Sequence, residues 1–148
     1  MGKSLDHVCI LVKDIGQAIS HYAGILGVLA PEVVEHRTEV IESYAGRDRY
    51  LTVVFAAQGD GCNIQLLQPL NPESPLFKRL ERYGEHIHHL AFTSPHLDKT
   101  VEQLKVKGVS LFQDGKQLIT DVEHPGGRRW TWIMPQYAHG ALIEVMDE

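Results

Sequence analysis

His7 and His89 each stand inside a short apolar run, and Gln65 and Glu144 each stand in another. A polar side chain in a row bound for burial is costly unless it finds a partner. Two imidazoles, an amide oxygen and a carboxylate would find one in a shared cation. Such a mixed nitrogen and oxygen set suits a borderline or harder divalent ion that keeps positions open for water or substrate. Cys9 and Cys62 are the two cysteines, and their spacing fits no metal or redox motif, so a thiolate site is excluded. One histidine in a strand is more often a satisfied side chain than a ligand; the joint placement of four residues favours the metal. Alternation along a strand turns His88 away from His89. His21, His36, His96 and His124 fall in helix or loop contexts and are assigned to solvent or packing.

The elements that must position these residues follow from periodicity. Leu5–Val12 is a branched apolar run of strand length. Asp14 with Gln17 reads as a capping-box-like helix start. Ile15, Ala18, Ile19, Tyr22, Ile25 and Leu26 then make one apolar face, which Gly27 is expected to end. From Ala30 to Arg49 a strand followed by an irregular loop is expected, with a turn at Gly46. Tyr50–Ala57 and Asn63–Gln68 flank Gly59-Asp60-Gly61 and predict a hairpin. Ser74 and Pro75 stand at N-cap and first-turn positions of a short helix that closes at Gly84. A strand over Ile87–Phe92, a helix starting at Ser94-Pro95 and ending at Gly108, and strands over Arg129–Met134 and Ala141–Met146 complete the chain, with a turn at Tyr137–Gly140.

Laid over one another, the two halves repeat. Placing His7 on His89 aligns Asp6-His-Val-Cys-Ile-Leu with His88-His-Leu-Ala-Phe-Thr. The helix-ending glycines then fall 20 and 19 residues later, and Gln65 and Glu144 fall 58 and 55 residues later. Each half reads strand, helix, several strands, with a histidine near its start and a Gln or Glu near its end. The expected fold is α+β, two βαβββ modules in tandem forming a curved, mostly antiparallel sheet around a metal site. Residues 1–148 are read as one domain, with module one at about 4–70, a linker at 69–75 and module two at about 86–147.

Composition narrows the function classes. With 148 residues, 43% hydrophobic and 22% charged, the chain can bury a real core and is neither a disordered tail nor a disulfide-stapled miniprotein. A net charge of −5 argues against a protein that coats nucleic-acid phosphates. No apolar run reaches membrane-spanning length, and the first residues lack an apolar signal core. A cytoplasmic protein with reduced thiols is expected, and a homodimer, the commonest oligomer.

The chain resembles the vicinal oxygen chelate superfamily, which includes glyoxalases, bleomycin resistance proteins and dioxygenases, and within it the methylmalonyl-CoA epimerases. The resemblance is carried by Leu5-Asp-His-Val-Cys-Ile-Leu-Val-Lys-Asp14, Ile64-Gln-Leu-Leu-Gln-Pro-Leu70 with Ser74-Pro75, His88-His89, and His139-Gly-Ala-Leu-Ile-Glu144. It implies paired βαβββ modules around a metal held by His7, Gln65, His89 and Glu144, the set that the spacing also suggests. It further implies a second catalytic carboxylate just before the third strand, which falls on Asp48, one methylene shorter than the family's Glu. The segment from Pro31 to Asp48 is longer than the family's, so Glu39 and Glu42 are alternatives for that base. Arg128 and Arg129 match a basic spot before the penultimate strand where an anionic substrate would bind.

These residues lead to a metal-dependent epimerase or isomerase that removes a proton next to a carbonyl through a metal-stabilised enolate. The expected cofactor is one divalent ion (Co, Zn, Ni, Mn or Fe), and Glu144 and Asp48 are the expected proton carriers. The substrate is a small molecule, with an acyl-CoA the leading class; its phosphates would need basic residues such as Lys105, Lys107, Arg128 and Arg129. Two other readings use the same scaffold. One is a glyoxalase-type isomerase of a thiol adduct of a 2-oxoaldehyde, weakly disfavoured by Gln65. The other is a non-catalytic binding protein for an aromatic or drug molecule, with Tyr50, Trp130 and Trp132 lining the cleft. An iron dioxygenase with a two-His-one-carboxylate triad would leave Gln65 unexplained.

Overall fold

The computed structural model describes residues 4–109, 111–112, 117–119 and 128–148. The fold is α+β, two βαβββ modules in tandem. The chain divides into two compact units, one of His7–His88 and the other joining residues up to Asp6 with His89–Glu148. No helix among the described residues is long and apolar enough to cross a membrane.

The first unit is built from β1 (Leu5–Leu11), α1 (Ile15–Leu29), α2 (Pro31–Glu35), β2 (Ile41–Ala45), β3 (Asp48–Phe55), β4 (Asn63–Pro69) and α3 (Pro75–Tyr83). Its strands lie in the order β2-β3-β4-β1. β1 runs parallel to β4, while the β2–β3 and β3–β4 pairs are antiparallel. The expected hairpin is present. Asp14 caps α1, accepting the Gln17 N–H at 2.9 Å. Such a cap is worth about 1 kcal/mol. The apolar stripe of α1 then covers one sheet face, packing Ile15, Ala18, Ile19 and Tyr22 with Val53, Phe55 and Leu66. Each fully buried side chain of that size contributes roughly 1.5–3 kcal/mol. The opposite face carries Cys9, Leu11 and Leu67, and α3 packs Leu76 and Leu80 there.

Two local expectations in the first unit are corrected. Gly27 does not end α1, which continues to Leu29. Propensity alone costs a helix about 1 kcal/mol at a glycine, less than the packing of the stripe returns. What stops the helix is Pro31, because the residue before a proline is driven out of the helical region. Ala30 accordingly sits at φ −156°. The segment after Ala30 is not a strand and loop. Pro31 starts the short helix α2, with its missing N–H at a position that needs none, and β2 follows. Gly46, at φ +61°, makes the β2–β3 turn.

The second unit holds most of β5 (His86–Ser94), then α4 (Leu97–Val106), β6 (Gln117–Ile119), β7 (Arg128–Ile133) and β8 (Ile143–Asp147). Its order is β5-β8-β7-β6. β5 runs parallel to β8, and β8–β7 and β7–β6 are antiparallel. The α4 helix starts three residues after Ser94 rather than at it. Ser94 instead accepts the His96 N–H at 3.2 Å and bonds Thr100 Oγ1 at 2.7 Å. Leu97, Val101 and Leu104 of α4 pack against Val145, Ile133 and Ile143 on one sheet face. Between β7 and β8 a 3-10 turn (Pro135–Tyr137) leads to His139 and Gly140 at φ 53° and 95°. That left-handed pair reverses the chain and delivers β8 in register.

Candidate metal centre

The two units place their candidate ligands by the same register. In the first, Cys9, two residues after His7, is the Cα partner of Gln65. In the second, Ala91, two residues after His89, is the Cα partner of Glu144. Both pairs are parallel strands, so in each unit the histidine and its counterpart leave the same face about 7 Å apart along the strands. The repeat seen in the sequence is therefore a repeat of strand register.

In the second unit this placement brings the side chains together. His89 Nε2 lies 3.0 Å from Glu144 Oε2, with the two side chains only 6% and 10% exposed. Trp132, the Cα partner of Glu144, meets the His89 ring edge-on at 5.1 Å. Trp130 in turn stands edge-on to Trp132 at 5.1 Å. A carboxylate and an imidazole, both capable of ligating a cation, are thus held together under an aromatic wall.

In the first unit the informative group is Gln65. Its Nε2 donates to Thr52 Oγ1 at 2.9 Å, and Thr52 Oγ1 donates to the Leu66 carbonyl at 3.2 Å. The hydroxyl proton is committed to that carbonyl, so only the amide nitrogen can face the hydroxyl, and Oε1 must point away. Oε1 is buried without a hydrogen-bond partner among the described residues. An unmatched buried acceptor costs about 1–3 kcal/mol, and a cation is one of the few groups that would relieve it. The donor set therefore fits a divalent ion. His7 shares the face of Gln65 through β1.

The remaining candidates are placed as follows. Asp48 begins β3 on the face shared by Tyr50, Thr52 and Gln65, and its Oδ1 accepts the Leu76 N–H of α3 at 3.2 Å. Glu42 pairs across from Leu51 on the other face and is bound to Arg49 at 2.7 Å. That position removes it as an alternative base on the Gln65 face. Glu39 is exposed before β2. Arg129 points to the α4 face, opposite to Glu144, because β7 and β8 pair Trp132, not Thr131, with Glu144. Its guanidinium is clamped by Asp147 at 3.0 and 3.2 Å and by Asp98 at 3.0 and 3.2 Å. The bonds to Asp147 and then Asp98 hold it above the ordinary arginine range. Arg129 is therefore a structural tie rather than a group offered to a substrate at Glu144. Arg128 lies on the Glu144 face by alternation and donates from Nε to the Asp147 carbonyl at 2.9 Å. His88 is buried, its ring 6.5 Å from that of His86. His36 bonds the Glu32 carbonyl at 2.7 Å. His124 lies outside the described residues.

Sequence reasoning missed Thr52. Its signal was present as the one aliphatic hydroxyl inside the run Tyr50–Phe55, but its partner depends on the β3–β4 register.

Comparison with known proteins agrees with this architecture. Residues 6–123 match the model of the Glyoxalase/Bleomycin resistance protein/Dioxygenase superfamily. An uncharacterised Bacillus subtilis protein, YqjC, is 29% identical over 147 residues, 97% of this chain and 91% of that one. The mitochondrial methylmalonyl-CoA epimerase of Mus musculus is 26% identical over 145 residues, 95% of this chain and 71% of that one. The crystal structure of methylmalonyl-CoA epimerase from Mycobacterium tuberculosis superposes with a TM-score of 0.72 at 29% identity, covering 97% of this chain and 87% of that one. The repeated register, the tandem βαβββ modules and the family match together make this chain a member of the Glyoxalase/Bleomycin resistance protein/Dioxygenase superfamily.

Proposed function

We propose that the protein is a metal-dependent epimerase that moves a proton at the carbon next to a carbonyl, with acyl-CoA esters of the methylmalonyl type as its substrate class. The observation that carries this reading is the shared register of His7 with Gln65 and of His89 with Glu144. The epimerases among the relatives support the reaction class.

His7, Gln65, His89 and Glu144 would hold the ion, whether the modules pair within one chain or between two chains of a homodimer. Their donors suit Co, Zn, Ni, Mn or Fe. When bound, the ion supplies Lewis-acid stabilisation, worth several kcal/mol, to negative charge developing on the substrate's carbonyl oxygen. The protein's own groups handle the proton. Glu144 takes it on the carboxylate oxygen that would not hold the ion, and Trp132, its Cα partner on β7, stands beside that carboxylate. Epimerisation needs a second carrier on the other side of the carbon, and Asp48 is assigned that task. Its bond to Leu76 occupies one oxygen and orients the other.

The test is deuterium exchange. Cobalt-loaded protein is incubated with methylmalonyl-CoA in deuterated water, and the α-hydrogen is followed by NMR. Rapid exchange is expected, and Glu144→Gln should slow it by about 10²–10⁴-fold, the usual size of general-base catalysis. Full activity in metal-loaded Glu144→Gln protein rejects Glu144 as the base. No exchange by the loaded wild type rejects this substrate; turnover of methylglyoxal with a thiol then moves the reading to a glyoxalase-type isomerase.

A further inference from the structure

Two buried side-chain polar atoms lack a hydrogen-bond partner among the described residues: Gln65 Oε1 and Trp130 Nε1. The first is an acceptor, and the proposed cation satisfies it. The second is a donor, and no cation can satisfy it. An indole N–H only donates, so what completes it must bring an oxygen or another acceptor.

The position of Trp130 says where that acceptor would come from. Trp130 pairs with Met146 and Trp132 pairs with Glu144, so all four leave one face of the β7–β8 pair. Trp130 is one pleat repeat, about 7 Å, beyond the position opposite Glu144. Its ring stands against Trp132, which stands against His89. The N–H is buried and has no partner among the described residues. A buried tyrosine or tryptophan ordinarily finds a partner for its polar tip. A phenylalanine would fill much of the same space without an unmatched donor.

We propose that Trp130 is a specificity-determining residue whose indole N–H donates to an oxygen of the bound substrate, a carboxylate or thioester oxygen distant from the carbon that exchanges its proton. The inference rests on the proposed function for the substrate class and for the carbon that exchanges its proton. The donor selects substrates that present an acceptor about one strand repeat from the proton-transfer site and disfavours those with an alkyl group there. Rejection of the alkyl analogue follows from the buried donor it would leave unmatched.

The chain has two tryptophans, so 15N-labelled protein shows two indole resonances, and Trp130→Phe identifies the one that belongs to Trp130. Zinc-loaded protein is titrated with methylmalonyl-CoA and, separately, with methylmalonate. The Trp130 resonance is expected to move downfield, and further than that of Trp132. Trp130→Phe is expected to keep its zinc and its Tm while binding the effective probe about five- to thirtyfold more weakly, the loss of one hydrogen bond. An indole resonance that neither probe moves, or equal affinity of wild type and Trp130→Phe, overturns the assignment. An indole shift without α-hydrogen exchange supports Trp130 and rejects the epimerase reading. Exchange with a silent Trp130 resonance does the reverse.

Discussion

Gln65 is held in a state that is poor for stability and good for binding. Thr52 takes its amide nitrogen, and the oxygen is left buried and unmatched among the described residues. Gln65→Leu removes that acceptor at similar volume. Metal-free Gln65→Leu protein should therefore be more stable than wild type by about 1 kcal/mol, while its metal affinity falls. Thermal melts with and without added zinc check both halves, and a destabilised metal-free variant would refute the argument. Thr52→Val keeps the shape of the side chain but frees the amide to rotate. Groups that orient a ligand typically contribute 10–100-fold to metal affinity, so a loss of about that size is expected in a metal titration, with secondary structure unchanged by circular dichroism.

At the scale of elements, two charged side chains named as site candidates also hold secondary structure together. Arg129 joins the start of α4, through Asp98, to β8, through Asp147. Arg129→Leu should lower Tm and leave the KM for substrate unchanged; a raised KM at unchanged Tm would restore it to the substrate site. Asp48 and Ser74 together satisfy the first free N–H groups of α3, from Leu76 and Phe77. Asp48→Asn keeps the acceptor and removes the basicity. It should hold stability within a few tenths of a kcal/mol, preserve α-hydrogen exchange and suppress inversion of configuration. Asp48→Ala should in addition cost about 1 kcal/mol of stability, as lost caps do. If Asp48→Asn epimerises at the wild-type rate, the second proton carrier lies elsewhere.

At the scale of the molecule, the design is one module used twice. Each unit runs its first and last strands parallel and places a histidine two residues before the Cα partner of a Gln or Glu. A ligand that binds only the folded chain stabilises it by mass action, about 2.7 kcal/mol at a hundredfold excess over Kd. For a chain of this length that corresponds to a rise in Tm of about 5–10 °C. The rise should vanish in Glu144→Ala and in the presence of a chelator.

The amino-acid sequence by itself determined most of the elements, the repeat and the residue types of the candidate ligands, because these rest on local periods; it missed α2, which replaced the strand and loop expected after Ala30, and β6. Alternation put His7 and His89 on single faces, and capping chemistry at Asp14 and Ser74 started the helices where they are found. It also reached the superfamily, because the repeated motifs span nearly the whole chain. Only the tertiary structure decided what depends on register between distant strands. It set Arg129 on the α4 face and Glu42 on the face away from Gln65, turned the Gln65 oxygen away from Thr52, and left that oxygen and the Trp130 donor buried and unmatched among the described residues. A shift of one residue in the β7–β8 pairing would exchange the faces of Arg129 and Arg128. No local pattern records that choice, which is made by the packing of whole sheet faces against α1, α3 and α4.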